Sequence, residues 1–137
     1  MSRPFAKNAP CPCGSGRKGK SCCGPVLDGD APATPEALMR SRYTAYATGN
    51  VAHVMRTTHP ESPHREADAR AWAADLRRYC DNVEFLGLTV HSAEEDGDQG
   101  RVRFTARWRA GGRDGAIEEH SRFVRIDGRW TYLDGAR

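Results

Sequence analysis

Four of the chain's five cysteines fall within thirteen residues, Cys11-Pro-Cys-Gly-Ser-Gly-Arg-Lys-Gly-Lys-Ser-Cys-Cys23, at the spacing C-x-C-x8-C-C. Four soft donors separated by small residues and cations suit a metal, since Zn²⁺ takes four thiolates tetrahedrally at about 2.3 Å. Such a site can fold a segment too short to own a core, and residues 2–25 carry one large apolar side chain, Phe5. Cys11, Cys13, Cys22 and Cys23 are therefore the expected ligands of one structural zinc, and with thiolate at every position none is left open for water. Disulfides are the competing arrangement. Neighbours such as Cys22 and Cys23, or Cys11 and Cys13, close strained rings, whereas cross-pairs remain open to an exported chain. No charged n-region followed by an apolar h-region is visible, so a reducing cytoplasm is the expected location.

The residues between the cysteines fit that chemistry. Gly14, Ser15 and Gly16 allow a sharp turn that aims donors at sulfur. Four thiolates and one Zn²⁺ leave roughly −2 on the cluster, and Arg17, Lys18 and Lys20 are placed to offset it. Residues 1–25 hold five basic side chains and no acidic one, a formal +5, against sixteen basic and eighteen acidic side chains in the remainder, −2. A basic head on a mildly acidic body points to an anionic partner. The alternative is that these cations only balance the thiolates and keep the head soluble.

The segment Cys11-Pro-Cys-Gly-Ser-Gly…Cys22-Cys23-Gly24 resembles the SEC-C motif, the zinc module at the C-terminal end of the translocase ATPase SecA and on many small bacterial proteins. The chain from about Pro35 resembles the YchJ-like family of uncharacterised bacterial proteins. The stretches that carry this likeness are Leu38-Met-Arg-Ser-Arg-Tyr-Thr-Ala-Tyr46, Thr58-His-Pro60, His120-Ser-Arg-Phe-Val-Arg125 and Gly128-Arg-Trp130 with Leu133-Asp-Gly135. The resemblance implies a zinc-binding knuckle (1–25), a linker (26–34) and an NTF2-like domain (35–137), in which a curved sheet wraps helices around a cone-shaped pocket. It also implies a head that docks on another protein or on the ribosome.

The elements that must position these residues can be read in order. At 137 residues the chain has room for one sizeable domain beside the head, and no apolar run is long enough to span a membrane. Thr34 is a good N-cap with Pro35 at the first helical position; Met39, Tyr43, Tyr46 and Ala47 then share one face, up to Gly49. Asn50 can cap a short second helix carrying Val51, Val54 and Met55, closed by Thr58-His59-Pro60. A third helix is expected from about Glu66 to Cys80, with Cys80 a buried small hydrophobe in its apolar stripe. The period then changes to that of strands over 83–91, 99–109, 116–126 and 129–133, with Asp127-Gly128 as a type I′ hairpin turn. About three helices followed by an antiparallel meander is an α+β order.

Tyr43, Tyr46, His59, Trp72, Trp108, Glu119, His120 and Phe123 are the candidates for lining the cone. A histidine near a carboxylate there could act as general acid or base, although Glu119 and His120 are strand neighbours that point to opposite faces. No catalytic residue is assigned. The leading expectation is an adaptor whose body binds a small molecule, pairs with a second copy, or both; the runner-up is an isomerase- or hydrolase-like enzyme in the cone. Val102, Phe104, Ala106 and Trp108 alternate with Arg101, Arg103, Thr105, Arg107 and Arg109. That arginine row is either a solvated face paired with acids such as Glu118 or an anion-binding surface. It lacks interleaved aromatics that could stack bases, so sequence-specific nucleic-acid binding is not expected.

Overall fold

The structure, a computed structural model, describes residues 3–136; residues 1, 2 and 137, at the ends of the expected head and body, lie outside the described residues. A 3-10 turn at Gly19–Ser21 precedes α1 (Cys23–Leu27), α2 (Pro35–Thr48), α3 (Val51–Arg56) and α4 (Ala69–Asn82). Four strands follow, β1 (Glu84–Asp96), β2 (Gln99–Ala110), β3 (Arg113–Ile126) and β4 (Arg129–Ala136). They form one antiparallel sheet in chain order, and helices packed on it make the α+β arrangement.

α2 is the element around which the rest is packed. It starts where the Thr34 hydroxyl accepts from Ala37 N at 3.0 Å and stops at Gly49, whose φ of 76° is the left-handed C-cap. Its burial runs almost round the helix, including Leu38, Met39, Ser41, Arg42, Tyr43, Thr44, Ala45 and Ala47. A one-face reading therefore missed half its contacts: Met39, Arg42 and Tyr43 meet the sheet side, while Arg40 and Thr44 meet the N-terminal head.

Ser41 faces α3. There the buried His53 ring is bonded at both nitrogens, Nε2 to Ser41 Oγ at 2.9 Å and Nδ1 to Arg56 Nη2 at 2.9 Å. Because Ser41 Oγ already donates to Leu38 O, the ring is the neutral tautomer with its proton on Nε2. Burial, reinforced by the Arg56 and Arg42 cations, pushes its pKa down to about 3.

Several boundaries differ from expectation. α4 begins at Ala69 rather than near Glu66, because Asp68 caps it by accepting from Arg70 N and Ala71 N. β1 continues through the acidic stretch to Asp96, with Glu94 opposite Arg101 on β2, an opposite-charge pair that supports the ladder. β3 starts at Arg113, since only Gly111 and Gly112 make that turn, and β4 runs on to Ala136. Asp127 and Gly128, at φ 50° and 79°, have the signs a type I′ turn requires.

The segment expected as a linker from residue 26 opens inside α1, which packs on α2. Its next residues are tied down as well: Arg56 donates to Leu27 O and Arg129 to Gly29 O, both at 2.6 Å. The head is thus held against the body. Cys80 is buried and its thiol is pushed up by burial, as suits a small apolar core residue.

Candidate metal centre and cone cavity

The head is a tight knuckle built by backbone bonds. Cys11 N donates to Arg17 O at 2.8 Å, Gly19 N to Ala9 O at 3.0 Å and Lys20 N to Lys7 O at 2.9 Å. Gly14 and Gly16 sit at φ 78° and 87°, the region that admits glycine without strain, and so turn the chain back within four residues. The result brings the Sγ atoms of Cys11, Cys13, Cys22 and Cys23 within 4.8 Å of one another, with Cys13 and Cys22 3.5 Å apart. All four are free thiols. A regular tetrahedron of sulfurs bonded at about 2.3 Å has edges of about 3.8 Å, so this donor set fits a metal ion of that kind.

The surrounding groups are arranged for negative sulfur. Ser15 Oγ lies 3.1 Å from Cys22 Sγ, and Arg17 Nη2 donates to the same sulfur at 3.7 Å. A hydroxyl and a guanidinium thus join the backbone N–H groups of Cys13 and Cys23, which bond the Cys11 sulfur. The body supplies others that spacing did not reveal. Thr44 Oγ1 on α2 donates to Cys23 Sγ at 3.3 Å, and Arg40 Nη1 donates to Cys13 O at 2.9 Å. Thiol protons are shared inside the cluster: bonds from Cys13 and Cys23 hold Cys11 far below the ordinary thiol range, while sharing with Cys11 pushes Cys13 and Cys23 up. Cys11, Cys13 and Cys23 are nearly inaccessible and belong to the same apolar cluster as Leu38, Met39 and Tyr43. The expected cations Arg17, Lys18 and Lys20 are exposed on the head.

On the other side of α2 the sheet and α4 enclose a cavity of about 390 Å³. Of the residues expected to line it, Tyr43, Tyr46, Trp72, Glu119 and Phe123 do so. His59 does not, because it closes a turn in which its Nδ1 accepts from Glu61 N. Trp108 is on the cone-facing side of β2 but folds over Gly115 of β3, beyond the cavity. His120 is exposed opposite Arg103, on the outer face that alternation with Glu119 assigns it.

The cavity also contains polar groups that were not anticipated. Arg42 is 7% exposed, and its Nη1 donates to Val54 O at 3.0 Å, Thr57 Oγ1 at 2.8 Å and Thr58 Oγ1 at 3.2 Å. Its guanidinium carbon lies 4.5 Å from the Tyr132 ring centroid. Burial pulls its pKa below the usual value, against the opposing pull of Tyr46, Tyr132 and Glu119. Ser121 Oγ and Tyr132 OH both donate to Glu119 Oε2, at 2.7 and 3.2 Å. Burial and the Glu119 carboxylate push the Tyr132 phenol up, so it stays a donor at neutral pH. Arg42 had no sequence signal separating it from the other arginines; Tyr132 alternates with the buried Trp130 and could have been found from that period.

On the outer face of the sheet, Glu118 accepts from Thr105 at 3.3 Å rather than from an arginine. The arginine row is instead paired at its end, Arg109 to Asp114 at 2.7 Å.

Residues 34–135 match the family described as YchJ, middle NTF2-like domain. A UPF0225 protein from Deinococcus radiodurans is 46% identical, across 99% of this chain and 99% of its own length. One from Ralstonia nicotianae is 43% identical, across 95% of this chain and 92% of its own. The solution structure of a SEC-C motif containing protein from Rhodopseudomonas palustris is 38% identical with a TM-score of 0.81, covering 93% of this chain and 98% of that one. No helix among the described residues is long and apolar enough to cross a membrane. A cysteine knuckle locked to a helix-filled sheet and relatives matched end to end lead to one conclusion: the chain belongs to the YchJ-like UPF0225 family.

Proposed function

We propose that this protein is a small-molecule-binding protein whose N-terminal head is fixed by a structural zinc. Cys11, Cys13, Cys22 and Cys23 would hold the ion, which when bound supplies cross-links and charge rather than a reactive water. The observation that carries the reading is the cavity of about 390 Å³, lined chiefly by rings and aliphatic groups with a few polar side chains among them. That composition is the ordinary one for a ligand site. The enzyme alternative has less support. His59 and His120 lie off the lining, and His64, which is on it, is an exposed residue whose ring lies tilted against Tyr132.

Titration of isotope-labelled protein with the neutral probe 2-phenylethanol tests the pocket. Amide shifts should concentrate at Phe104, Ser121 and Phe123; shifts that are absent or scattered over the surface would count against it.

A second reading, docking of the head on an anionic protein or ribosomal surface in the cytoplasm, is favoured by one observation. Lys18 and Lys20 are exposed, and no ion pair among the described residues involves either of them or Arg17. Reversing both lysines, Lys18→Glu with Lys20→Glu, should abolish capture of such partners from cytosol, and capture by the natural chain should weaken as salt rises. Equal capture by both baits at every salt would sink this docking role. The body could still pair with a second copy under either reading.

A further inference from the structure

We infer that the cone is selective for small apolar amines, protonated at neutral pH, with the Glu119 carboxylate receiving the ammonium group. The inference rests on the ligand-binding reading and names its ligand class.

Four observations lead there. Glu119 is on the cavity lining, and no ion pair among the described residues involves it. Its Oε2 takes bonds from Ser121 and Tyr132; Oε1 has no protein donor among the described residues and remains an acceptor. Arg42 lies near enough to Glu119 for the two charges to feel each other, but no cation is hydrogen-bonded to the carboxylate among the described residues, and a charge held in a largely apolar wall without such a partner is costly. Arg42, the cation on the same lining, is already engaged with Val54 O, the Thr57 and Thr58 hydroxyls and the face of Tyr132. It anchors α2 to α3 rather than pairing with the carboxylate.

The remaining lining adds attraction for a cation. Its formally charged members are Arg42 against Glu119, Glu66 and Asp75, and because Asp75 is paired with Arg78 one negative charge is left in excess. Glu66 and Asp75 are exposed at the rim, where they would draw a cation towards the opening. Asp75 also pairs with Arg78 on the outside of α4. Tyr46 deeper in and the more exposed Tyr79 add rings of the kind from which ammonium groups gain cation–π attraction, whereas Tyr132 and Trp72 are already met by Arg42 and Arg65. An anion of the same size would meet the Glu119 carboxylate, and the one lining side-chain atom that is buried without a partner among the described residues is the single Tyr43 hydroxyl.

The backbone holds this carboxylate in place through a gap on β4. A Cβ built on Gly135 would lie 2.2 Å from Glu119 Oε2 and 2.3 Å from its Cδ. Any side chain at 135 must therefore push the carboxylate away from Ser121 and Tyr132. The atoms in the way are the far end of a flexible side chain, so the shift is cheap for the fold and felt mainly at the site. Gly135 is a positioning residue for Glu119.

The test compares three probes of similar skeleton on the full chain: 2-phenylethylamine, 2-phenylethanol and 3-phenylpropionate, with affinities from amide shifts of the lining residues. The amine should bind at least tenfold tighter than the alcohol, and the acid weaker than either. Glu119→Gln and Gly135→Ala should each shrink the amine-to-alcohol ratio to threefold or less. If the alcohol matches the amine in the natural chain, or the acid is preferred, the cavity stands as a ligand site and the amine inference falls. A ratio unchanged in Gly135→Ala overturns it too, even should Glu119→Gln fail to fold. If no probe moves the lining residues, both the inference and the ligand-binding reading fall.

Discussion

With the proposed zinc held by the four cysteines, replacing Cys23 by serine should release the ion and lower stability by more than about 4 kcal/mol, among the largest effects a single substitution produces. Cys23 is 2% exposed, receives the Thr44 hydroxyl at 3.3 Å, and opens α1. Serine would leave three thiolates for the ion and a buried hydroxyl in place of sulfur. Metal binding and folding of such a knuckle are one equilibrium, so the head would come away and uncover the flank of α2 that it now buries. Cys80→Ser is the contrast, because that thiol is buried in α4, outside the cluster. Native mass spectrometry should find one zinc per chain in the natural protein and in Cys80→Ser, and none in Cys23→Ser. Denaturant unfolding should show the loss of stability. An unchanged midpoint in a zinc-free Cys23→Ser protein would mean that the head is held by packing alone.

The second large effect is on acid stability. His53 is neutral when folded, with its pKa pushed down from 6.5 to about 3, whereas the unfolded chain protonates it normally. The unfolded state thus binds the extra proton between these two values, and stability must fall as pH drops. The contribution is complete above about pH 6.5 and decays below it, with a slope approaching about 1.4 kcal/mol per pH unit. Thiolate protonation also weakens the metal centre in acid, so the comparison needs a variant that removes only the histidine term. His53→Gln can still donate to Ser41 and accept from Arg56. The stability difference between natural chain and variant should change by about 2 kcal/mol between pH 6.5 and 5, and the His53 ring should stay neutral by NMR at pH 5. A ring that titrates near 6.5, or a difference flat with pH, would show that charging His53 costs the fold nothing.

How far the sequence can be read depends on where the determining contacts lie. The start of α2 was legible because its signals are local: Thr34 as cap, Pro35 behind it and Gly49 at the end are each sufficient on their own. The cysteine knuckle was legible for the same reason, since four donors within thirteen residues leave few geometries. Strand alternation likewise put Val102, Phe104 and Ala106 inside and the arginines outside. The ends of α4 and β1 were misjudged because a competing local contact decided them, the Asp68 cap in one case and the Glu94–Arg101 pairing in the other.

Long-range contacts were beyond reach. Thr44 and Arg40 look like ordinary helix residues until the fold lays the head across α2, 21 residues away for Thr44 and Cys23 and 27 for Arg40 and Cys13. Arg42 reads as one more surface arginine until α3 closes over it. Glu119 and its neighbour Ser121, two residues along the same strand, could be assigned to the cone by alternation, but the Tyr132 hydroxyl and the gap at Gly135 belong to strand pairing. Residue type and spacing by themselves determined the four-cysteine cluster, the order of elements and which face of each strand turns inward, because those follow from local geometry and periodicity. Only the tertiary structure decided which polar side chains share the cavity and which helix face holds the head, because these depend on register and packing between segments far apart in the chain.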